Sequence, residues 1–374
     1  MRLGIVRLYA GVSGEIGYYN IQEIGLAKAL SKKGICTDIF FLVNKNKEII
    51  IKEINKKVRV IYIPSKKIFN HGIISPEFIL NYDIDIVHLL SDNQLMVPTF
   101  IKFCNKHNIP IYNYVGTINS DTNNKFKKFI MSILEKRNIK WFKKSKLIAK
   151  TPTVKKELES RKVENVKVIP VGLDLDIIPQ LKIDKVQIRE QLNIPINKKV
   201  IIFVGRLENY KNPIKSIELM KKLKEISNEY FLIIIGQGSL KNKIVDLIKN
   251  YNLEKDILLI DKLENSKIHK YYKASDIFIN LNDKEIFGMS ILEAMYQGCN
   301  VIAIDAPGPK FIIDNKINGI IMKNYDLDKW INSIKENIEN KCMSKLANRK
   351  VIDYFNWDSI ATEYQCLFKV IKEK

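Results

Sequence analysis

The chain has 374 residues, of which 46% are hydrophobic and 28% are charged. This length predicts two globular domains rather than one. Its five cysteines are scattered and form no C-x-x-C pair, which argues against a disulfide framework. It has no apolar run of about 18 residues and begins without a secretory signal, so we expect a cytoplasmic protein without a membrane span.

The formal net charge of +21 is unevenly distributed. Between Lys125 and Lys150 lie ten basic residues and a single acid, Glu135. A general excess of lysine can reflect composition alone, whereas a local cluster indicates contact with an anionic surface.

The first half of the chain alternates short apolar runs with helical patterns. The apolar spacing of residues 21–33 predicts the first helix. The runs predict strands at residues 3–9, 37–43, 58–63, 84–90, 111–115 and 147–149. Continuous apolar strands separated by helices indicate a parallel sheet that is buried on both faces.

The second half repeats this architecture after a polar, proline-containing stretch that ends near residue 199. Its strands are predicted at residues 200–204, 231–235, 257–260, 277–281 and 301–304. We therefore place a domain boundary within residues 172–198. Doubly wound sheets bind ligands at the carboxyl ends of their strands, so two such domains that face each other would form a binding cleft.

The first motif follows the predicted strand that ends at Val204. Gly205 and Arg206 begin a tight turn, Lys211 ends it, and Pro213 can open the next helix. Two cations beside a helix N-terminus suit a diphosphate. A surface loop in a basic protein is the alternative interpretation.

The second motif is the pair Gly236 and Gly238, which follows an apolar strand and precedes a helix. Glycine allows close approach of the backbone to a ligand. The full dinucleotide signature is absent, and a simple tight turn explains the pair equally well.

The third motif runs from Glu285 through a predicted helix that begins near Gly288 and contains Glu293. Helical side chains tilt toward the N-terminus, so Glu293 can point toward the loop that carries Glu285. The amides of Phe287, Gly288 and Met289 would be unpaired donors at the same place. Two carboxylates and several amides suit the hydroxyls of a sugar and a ribose.

In this order and spacing, the three motifs resemble the donor domain of retaining GT-B glycosyltransferases of family 4, and the resemblance covers nearly the whole chain. Glu285 and Glu293 match the family's pair of glutamates, which seven residues separate. Segments 205–207 and 211–212 match its diphosphate-binding arginine and lysine. Segment 168–174 resembles the end of the N-terminal domain. Segment 356–358 and the helix after it resemble the final helix, which crosses back onto that domain.

The resemblance implies an α/β fold of two Rossmann-like doubly wound domains that face a central cleft. The acceptor-side domain would comprise residues 1–178 and 356–374, and the donor-binding domain residues 179–355. Arg206 and Lys211 would bind the diphosphate, Glu293 the ribose hydroxyls and Glu285 the transferred sugar. The amides of residues 287–289 would orient the donor, with Gly205, Gly236 and Gly238 nearby.

The N-terminal half departs from the family pattern. Gly17, with Gly14 nearby, falls in the family's glycine loop, but Tyr18 stands where a second glycine is common. Where many members have His-Gly, this chain has Val115-Gly116. His88, at a predicted strand end on the rim of the cleft, is then the candidate histidine, although a lone histidine there is more often structural.

The basic stretch 125–146 has helical spacing of its apolar residues and adds Trp141 and Phe142. It predicts either peripheral contact with an anionic membrane, at the inner face of the plasma membrane, or a core-packed helix with a solvated basic face. Nucleic acid is not expected, because no nucleic-acid-binding signature accompanies the charge. Arg206 and Lys211 can neutralise a leaving diphosphate, so we predict no metal and no other cofactor.

The predicted activity is transfer of a hexosyl unit from a UDP- or GDP-sugar to an acceptor hydroxyl with retention of configuration, in surface polysaccharide or lipid-linked glycan assembly. Three alternatives remain: a non-catalytic sensor of sugar nucleotides, a DNA-modifying glucosyltransferase and a sugar-nucleotide epimerase. The fold alone does not identify the substrate.

Overall fold

The computed structural model describes residues 1–10, 22–44, 48–118, 125–179, 181 and 183–372. The chain divides into two compact units: unit 1 is Met1–Gly172 with Trp357–Lys374, and unit 2 is Leu173–Asn356. The sequence-based boundary at residue 178 lies six residues further along. The boundary falls before Leu173 because the Leu173 amide donates to the Phe355 carbonyl at 2.8 Å, and Leu173 also pairs with Asn356. The chain therefore enters and leaves unit 2 at one bridge.

The strands of unit 1 are β1 (Arg2–Arg7), β2 (Cys36–Val43), β3 (Ile50–Asn55), β4 (Val58–Pro64), β5 (Lys66–Ile68), β6 (His71–Ile73), β7 (Ile86–Leu90), β8 (Ile111–Val115), β9 (Lys146–Ala149) and β10 (Val166–Val168). Its helices are α1 (Gln22–Lys32), α2 (Val97–Lys106), α3 (Lys125–Phe142), α4 (Pro152–Ser160), a 3-10 helix (Pro76–Tyr82) and the C-terminal helix of the chain (Trp357–Lys372).

Among the described residues, the main sheet of unit 1 has the strand order β10-β9-β8-β7-β1-β2-β4-β3. Its pairings are parallel except that of β3 with β4. The inner strands are buried on both faces, as helices on each side of a parallel sheet require. The sequence did not predict β3, because this strand is exposed along its whole length and Lys52 and Glu53 interrupt its apolar residues.

The C-terminal helix packs in unit 1 against α1, which confirms its predicted return to the N-terminal half. The contact is close at Gly25, where a Cβ atom would lie only 2.2 Å from Nε1 of Trp357. Further along the helix, the buried Tyr364 ring lies 6.2 Å from the Tyr112 ring of β8.

The strands of unit 2 are β11 (Lys199–Val204), β12 (Tyr230–Ile235), β13 (Ile257–Ile260), β14 (Ile277–Asn280), β15 (Asn300–Ile304) and β16 (Ile320–Met322). Its helices are α5 (Lys185–Gln191), a 3-10 helix (Asn209–Lys211), α6 (Pro213–Ile226), α7 (Lys241–Asn250), α8 (Asn265–Ala274), α9 (Met289–Tyr296), α10 (Pro307–Ile312), α11 (Leu327–Asn337) and α12 (Lys341–Tyr354).

The sheet of unit 2 has the order β13-β12-β11-β14-β15-β16, and its strands are parallel throughout. After β11 the chain proceeds to β12 on one side, whereas β14 lies on the other side of β11. The loops after β11 and β14 therefore leave the sheet in opposite directions, and such a switch point is where doubly wound sheets bind ligands.

We predict that Gly25→Ala destabilises unit 1. Alanine normally favours a helix over glycine by about 1 kcal/mol, but overpacking against Trp357 should reverse this gain and cost about 1–3 kcal/mol. Urea denaturation followed by tryptophan fluorescence measures the change. Ser31→Ala in the same helix is the control and should change stability by less than about 0.5 kcal/mol. A more stable Gly25→Ala variant would contradict the packing described above.

Candidate functional site

The two loops at the switch point of unit 2 are bound to each other. The loop after β11 contains Gly205 and Arg206, the 3-10 helix and then Asn212, which has a left-handed backbone at φ 54°. The side-chain amide of Asn212 donates to the carbonyl of Leu281, just after β14, at 2.9 Å. This bond fixes the start of α6 beside the segment that carries Glu285.

Lys211 and Glu285 form an ion pair across the switch point, with 2.5 Å between Nζ and the carboxylate. The side-chain amide of Asn282 donates to the same oxygen at 3.1 Å. Burial alone would raise the pKa of Glu285, but the Lys211 charge and the hydrogen bonds hold it below its usual value. Glu285 is thus an ionised carboxylate, and Lys211 is the cation beside it.

The helix α9 begins at Met289, four residues after Glu285, because Gly288 turns the chain. Gly288 has φ +104°, a left-handed conformation that favours glycine. The Glu285 carbonyl accepts a bond from the Gly308 amide at 2.7 Å, which holds the loop against α10. Met289 is the first helical residue, so its amide has no intrahelical acceptor. An anionic or hydroxyl group near this turn would find a backbone donor there.

Glu293 lies in α9, and its carboxylate contacts α8. The Glu285 carboxylate instead contacts Lys211 in the loop after β11. The Glu293 carboxylate accepts bonds from Asn265 Nδ2 at 3.1 Å and from the Tyr272 hydroxyl at 3.2 Å, both in α8. Burial raises its pKa to about 7, and the two hydrogen bonds oppose this shift. The buried His269 ring contacts Asn265 at 3.3 Å, which supports the orientation of that amide.

The glycines of the first two motifs contact each other. A Cβ atom on Gly236 would lie 1.9 Å from the carbonyl oxygen of Gly205, and one on Gly238 would lie 2.4 Å from that of Leu207. The loops after β11 and β12 are therefore packed backbone to backbone. Contact between these loops already requires glycine at both positions, so the pair by itself does not indicate a ligand. Arg206 is exposed in this loop pair, near the Glu208 carboxylate.

The prediction that His88 lies at a strand end is wrong. Strand β7 continues to Leu90, so His88 lies in its middle and is only 3% exposed. Its Nδ1 atom contacts the Tyr112 hydroxyl at 2.9 Å, and its ring stacks on Tyr364 of the C-terminal helix. Burial lowers its pKa to about 3, so it is neutral at ordinary pH. These contacts make His88 a core residue.

Gly14 and Gly17 lie outside the described residues. The other predicted residues at the switch point of unit 2 are Gly205, Arg206, Lys211, Glu285, Phe287, Gly288 and Met289. Sequence reasoning missed Asn282 and Asn265, which orient the two glutamates. The position of Asn282 directly after an apolar strand was a usable signal, whereas nothing near Asn265 indicated its contact with Glu293.

A match to a known protein family lies within unit 2. A family model described as glycosyl transferases group 1 matches residues 184–352. The UDP-Gal:alpha-D-GlcNAc-diphosphoundecaprenol alpha-1,3-galactosyltransferase of Escherichia coli is 31% identical over 201 residues, or 51% of this chain and 50% of that protein. The chain spans about half the length of the curated relatives it matches.

Solved structures match nearly the whole chain. Sucrose-phosphate synthase from Thermosynechococcus elongatus superposes with a TM-score of 0.80 at 17% identity, over 100% of this chain and 99% of that one. Anabaena Alr3699/HepE in complex with UDP-glucose gives a TM-score of 0.72 at 14% identity, over 99% and 100%. The family model thus covers most of unit 2, and the whole chain has the GT-B fold of two Rossmann-like units.

Proposed function

We propose that this protein is a glycosyltransferase that moves a hexosyl unit from a UDP- or GDP-sugar to an acceptor hydroxyl with retention of configuration. The observation that carries the proposal is the Lys211–Glu285 pair at the switch point of a group 1 family domain. The pair combines a cation suited to a diphosphate with a carboxylate suited to a sugar hydroxyl. The matching structure with bound UDP-glucose supports the choice of donor class.

The proposed donor contacts follow from charge and geometry. Lys211 and the exposed Arg206 neutralise the diphosphate as the bond to the sugar breaks, and the amide of Met289 donates to the donor. Glu285 accepts hydrogen bonds from the transferred sugar, and Glu293 accepts them from the ribose. In this proposal two cations carry out the charge neutralisation, so no metal is required.

Retention would follow from attack on the same face that the nucleotide leaves, with the leaving phosphate accepting the proton of the acceptor hydroxyl. The support is the resemblance of Glu285 and its neighbours to the family motif. In this scheme Glu285 holds the sugar and remains ionised, which agrees with its lowered pKa.

The acceptor is proposed to be a glycan or a lipid-linked glycan. The Escherichia coli relative is named for an acceptor on diphosphoundecaprenol. A membrane-bound acceptor would require the enzyme to approach a lipid surface. Within the described residues, no helix has the length and apolar character to span a bilayer.

Peripheral contact with an anionic membrane is proposed through α3. Its C-terminal half is anchored in unit 1: Leu134, Asn138 and Phe142 are buried, and Asn138 donates to the Gln94 carbonyl at 3.0 Å. Its N-terminal half exposes four apolar side chains: Phe126 is 70% exposed, Phe129 65%, Ile133 55% and Ile130 41%.

The charged residues of α3 also suit contact with an anionic membrane. Lys136 and Lys140 are exposed one and two turns after the apolar residues, whereas the acid Glu135 is paired with Arg161. A basic face beside exposed aromatic residues is typical of helices that lie on anionic leaflets. Exposure of the two phenylalanines disfavours a wholly core-packed helix, which was the alternative interpretation of the sequence.

We predict that Glu285→Gln abolishes turnover while donor binding largely survives. The variant keeps the volume of the side chain but loses the carboxylate, and a loss of at least about a hundredfold in kcat is expected. Nucleotide release from UDP- and GDP-hexoses measures turnover, and calorimetry measures donor affinity. Glu264→Gln, at an exposed glutamate, is the control. A non-catalytic sensor would instead bind donor with no turnover in the wild type.

We predict that donor affinity rises with pH through the pKa of Glu293. This pKa is raised to about 7 without donor, and only the ionised form accepts hydrogen bonds from both ribose hydroxyls. The dissociation constant should therefore fall from pH 6 to pH 8, with a slope that approaches about tenfold per unit below the pKa. Calorimetry over this range tests the slope. Glu293→Gln should show weaker affinity with no such slope, and an identical slope in that variant would exclude Glu293 as its origin.

We predict that the double variant Phe126→Ser/Phe129→Ser loses most binding to vesicles that contain phosphatidylglycerol. Each large apolar side chain that leaves a membrane interface costs about 1–2 kcal/mol, so cosedimentation should weaken at least tenfold. Neutral phosphatidylcholine vesicles should bind the wild type poorly. Tyr354→Ser, at a residue of unit 2 that is 67% exposed, is the matched control. Equal binding by the double variant and the wild type would rule out this surface.

A further inference from the structure

Helices α8 and α9 contact each other through buried polar side chains. On α8, Asn265, His269 and Tyr272 are spaced four and three residues apart, so they share one face of the helix. On α9, Glu293 and its C-cap residue Gln297 are four residues apart and also share a face. Hydrogen bonds join the two faces. Buried polar groups need such partners, so each bond constrains the orientation of the next group.

The orientation of the Asn265 amide follows from its contact with Glu293. An ionised carboxylate can only accept hydrogen bonds, so the group that approaches it must be the amide nitrogen. Nδ2 of Asn265 lies 3.1 Å from Oε1 of Glu293. The carbonyl oxygen Oδ1 of Asn265 then lies 3.3 Å from Nε2 of His269. The reverse orientation of the amide would place Oδ1 against the carboxylate, which is repulsive.

The tautomer of His269 follows from the orientation of Asn265. Nε2 must carry a proton in order to donate to Oδ1 of Asn265. Burial of the ring lowers its pKa to about 4, so His269 is neutral at ordinary pH and carries a single ring proton. Nδ1 must therefore accept, and the side-chain amide of Gln297 contacts it at 3.2 Å. Hydrogen-bond donation runs in one direction, from Gln297 through His269 to Asn265.

Both ends of this series of hydrogen bonds are fixed to the helices. The backbone amide of Gln297 donates to the Glu293 carbonyl at 3.1 Å, so Gln297 is held at the end of α9. The Tyr272 hydroxyl donates to the second carboxylate oxygen of Glu293 at 3.2 Å. Each oxygen of Glu293 thus accepts from a donor on α8. A carboxylate ordered before binding loses little further conformational freedom when a ligand arrives.

We propose that His269 is a positioning residue of the donor site, which holds the Asn265 amide in the orientation that directs the Glu293 carboxylate to the ribose hydroxyls. The ribose in this inference rests on the proposed function, whereas the orientation of Glu293 rests on contacts within unit 2. Without the ring nitrogens, the amide could rotate and turn Oδ1 toward the carboxylate. Recognition of the ribose would then weaken, whereas the Lys211 contact proposed for the diphosphate would remain.

Three variants of α8 test this role. His269→Phe keeps a ring but removes both nitrogens. His269→Gln keeps an N–H group that can donate to Asn265, so it is the conservative variant. Ile268→Val changes the packing of a buried neighbour that takes no part in the hydrogen bonds, and it controls for a general loss of stability.

The first measurement is the pKa of Glu293 in the free protein. Carbon-13 NMR of the glutamate carboxyl groups follows its titration, and Glu293→Gln assigns the signal. A hydrogen bond to the ionised form lowers the pKa of a carboxyl group, so losing the Asn265 donor should raise it. His269→Phe should move the titration midpoint upward by at least about 0.5 pH unit. His269→Gln and Ile268→Val should titrate as the wild type does.

The second measurement compares ribose with deoxyribose. Calorimetry at about pH 8, where Glu293 is largely ionised, gives the dissociation constants of UDP, 2′-deoxy-UDP, GDP and 2′-deoxy-GDP. The wild type should bind at least one ribonucleotide about tenfold or more tightly than its deoxy analogue. In His269→Phe this preference should fall to about threefold or less, and His269→Gln should restore it. A merely structural change would weaken both nucleotides equally and leave the preference unchanged.

The inference is overturned by an unchanged Glu293 midpoint in His269→Phe, by the absence of a ribose preference in a wild type that binds nucleotide, or by an equal preference in His269→Phe and the wild type. Failure of the proposed function would appear differently. Neither UDP nor GDP would bind the wild type, while the Glu293 midpoint would still move upward in His269→Phe.

Discussion

The ion pair between Lys211 and Glu285 joins the two loops that diverge at the switch point of unit 2. Each partner comes from a loop whose position is set by a different strand, β11 or β14, and the Asn212 bond to Leu281 supports the same junction. Both side chains are largely shielded from solvent, so each needs a counter-charge. The pair lets two groups suited to a sugar diphosphate coexist in the free protein without an uncompensated charge.

The same segment contains two glutamates whose pKa values shift in opposite directions. Glu285 is surrounded by a lysine and amide donors, so its pKa is lowered despite burial. The donors to Glu293 from α8, Asn265 and Tyr272, are neutral, and burial raises its pKa to about 7. The sequence motif alone does not distinguish these two residues. Their surroundings keep Glu285 ionised at neutral pH, whereas the charge of Glu293 depends on pH near neutrality.

Much of the fold could be predicted because parallel strands that are buried on both faces read as continuous apolar runs. Strand β3 could not, since it is an exposed edge with mixed polarity. His88 shows a similar limit: the sequence does not reveal that its ring is buried or that Tyr364, far along the chain, covers it. The Lys211–Glu285 contact joins positions 74 residues apart. The family motif indicated a role for each, but their direct contact depends on the strand order.

The donor chemistry proposed for unit 2 requires a sugar nucleotide to bind at the Lys211–Glu285 switch point. The most direct test is calorimetric titration of UDP- and GDP-hexoses into the wild type and into Lys211→Met, which removes the cation but keeps most of the side-chain volume. We predict binding of at least one nucleotide sugar to the wild type, and affinity at least tenfold weaker in Lys211→Met. Absence of binding by every UDP- and GDP-hexose, or equal affinity in the two proteins, would contradict the account.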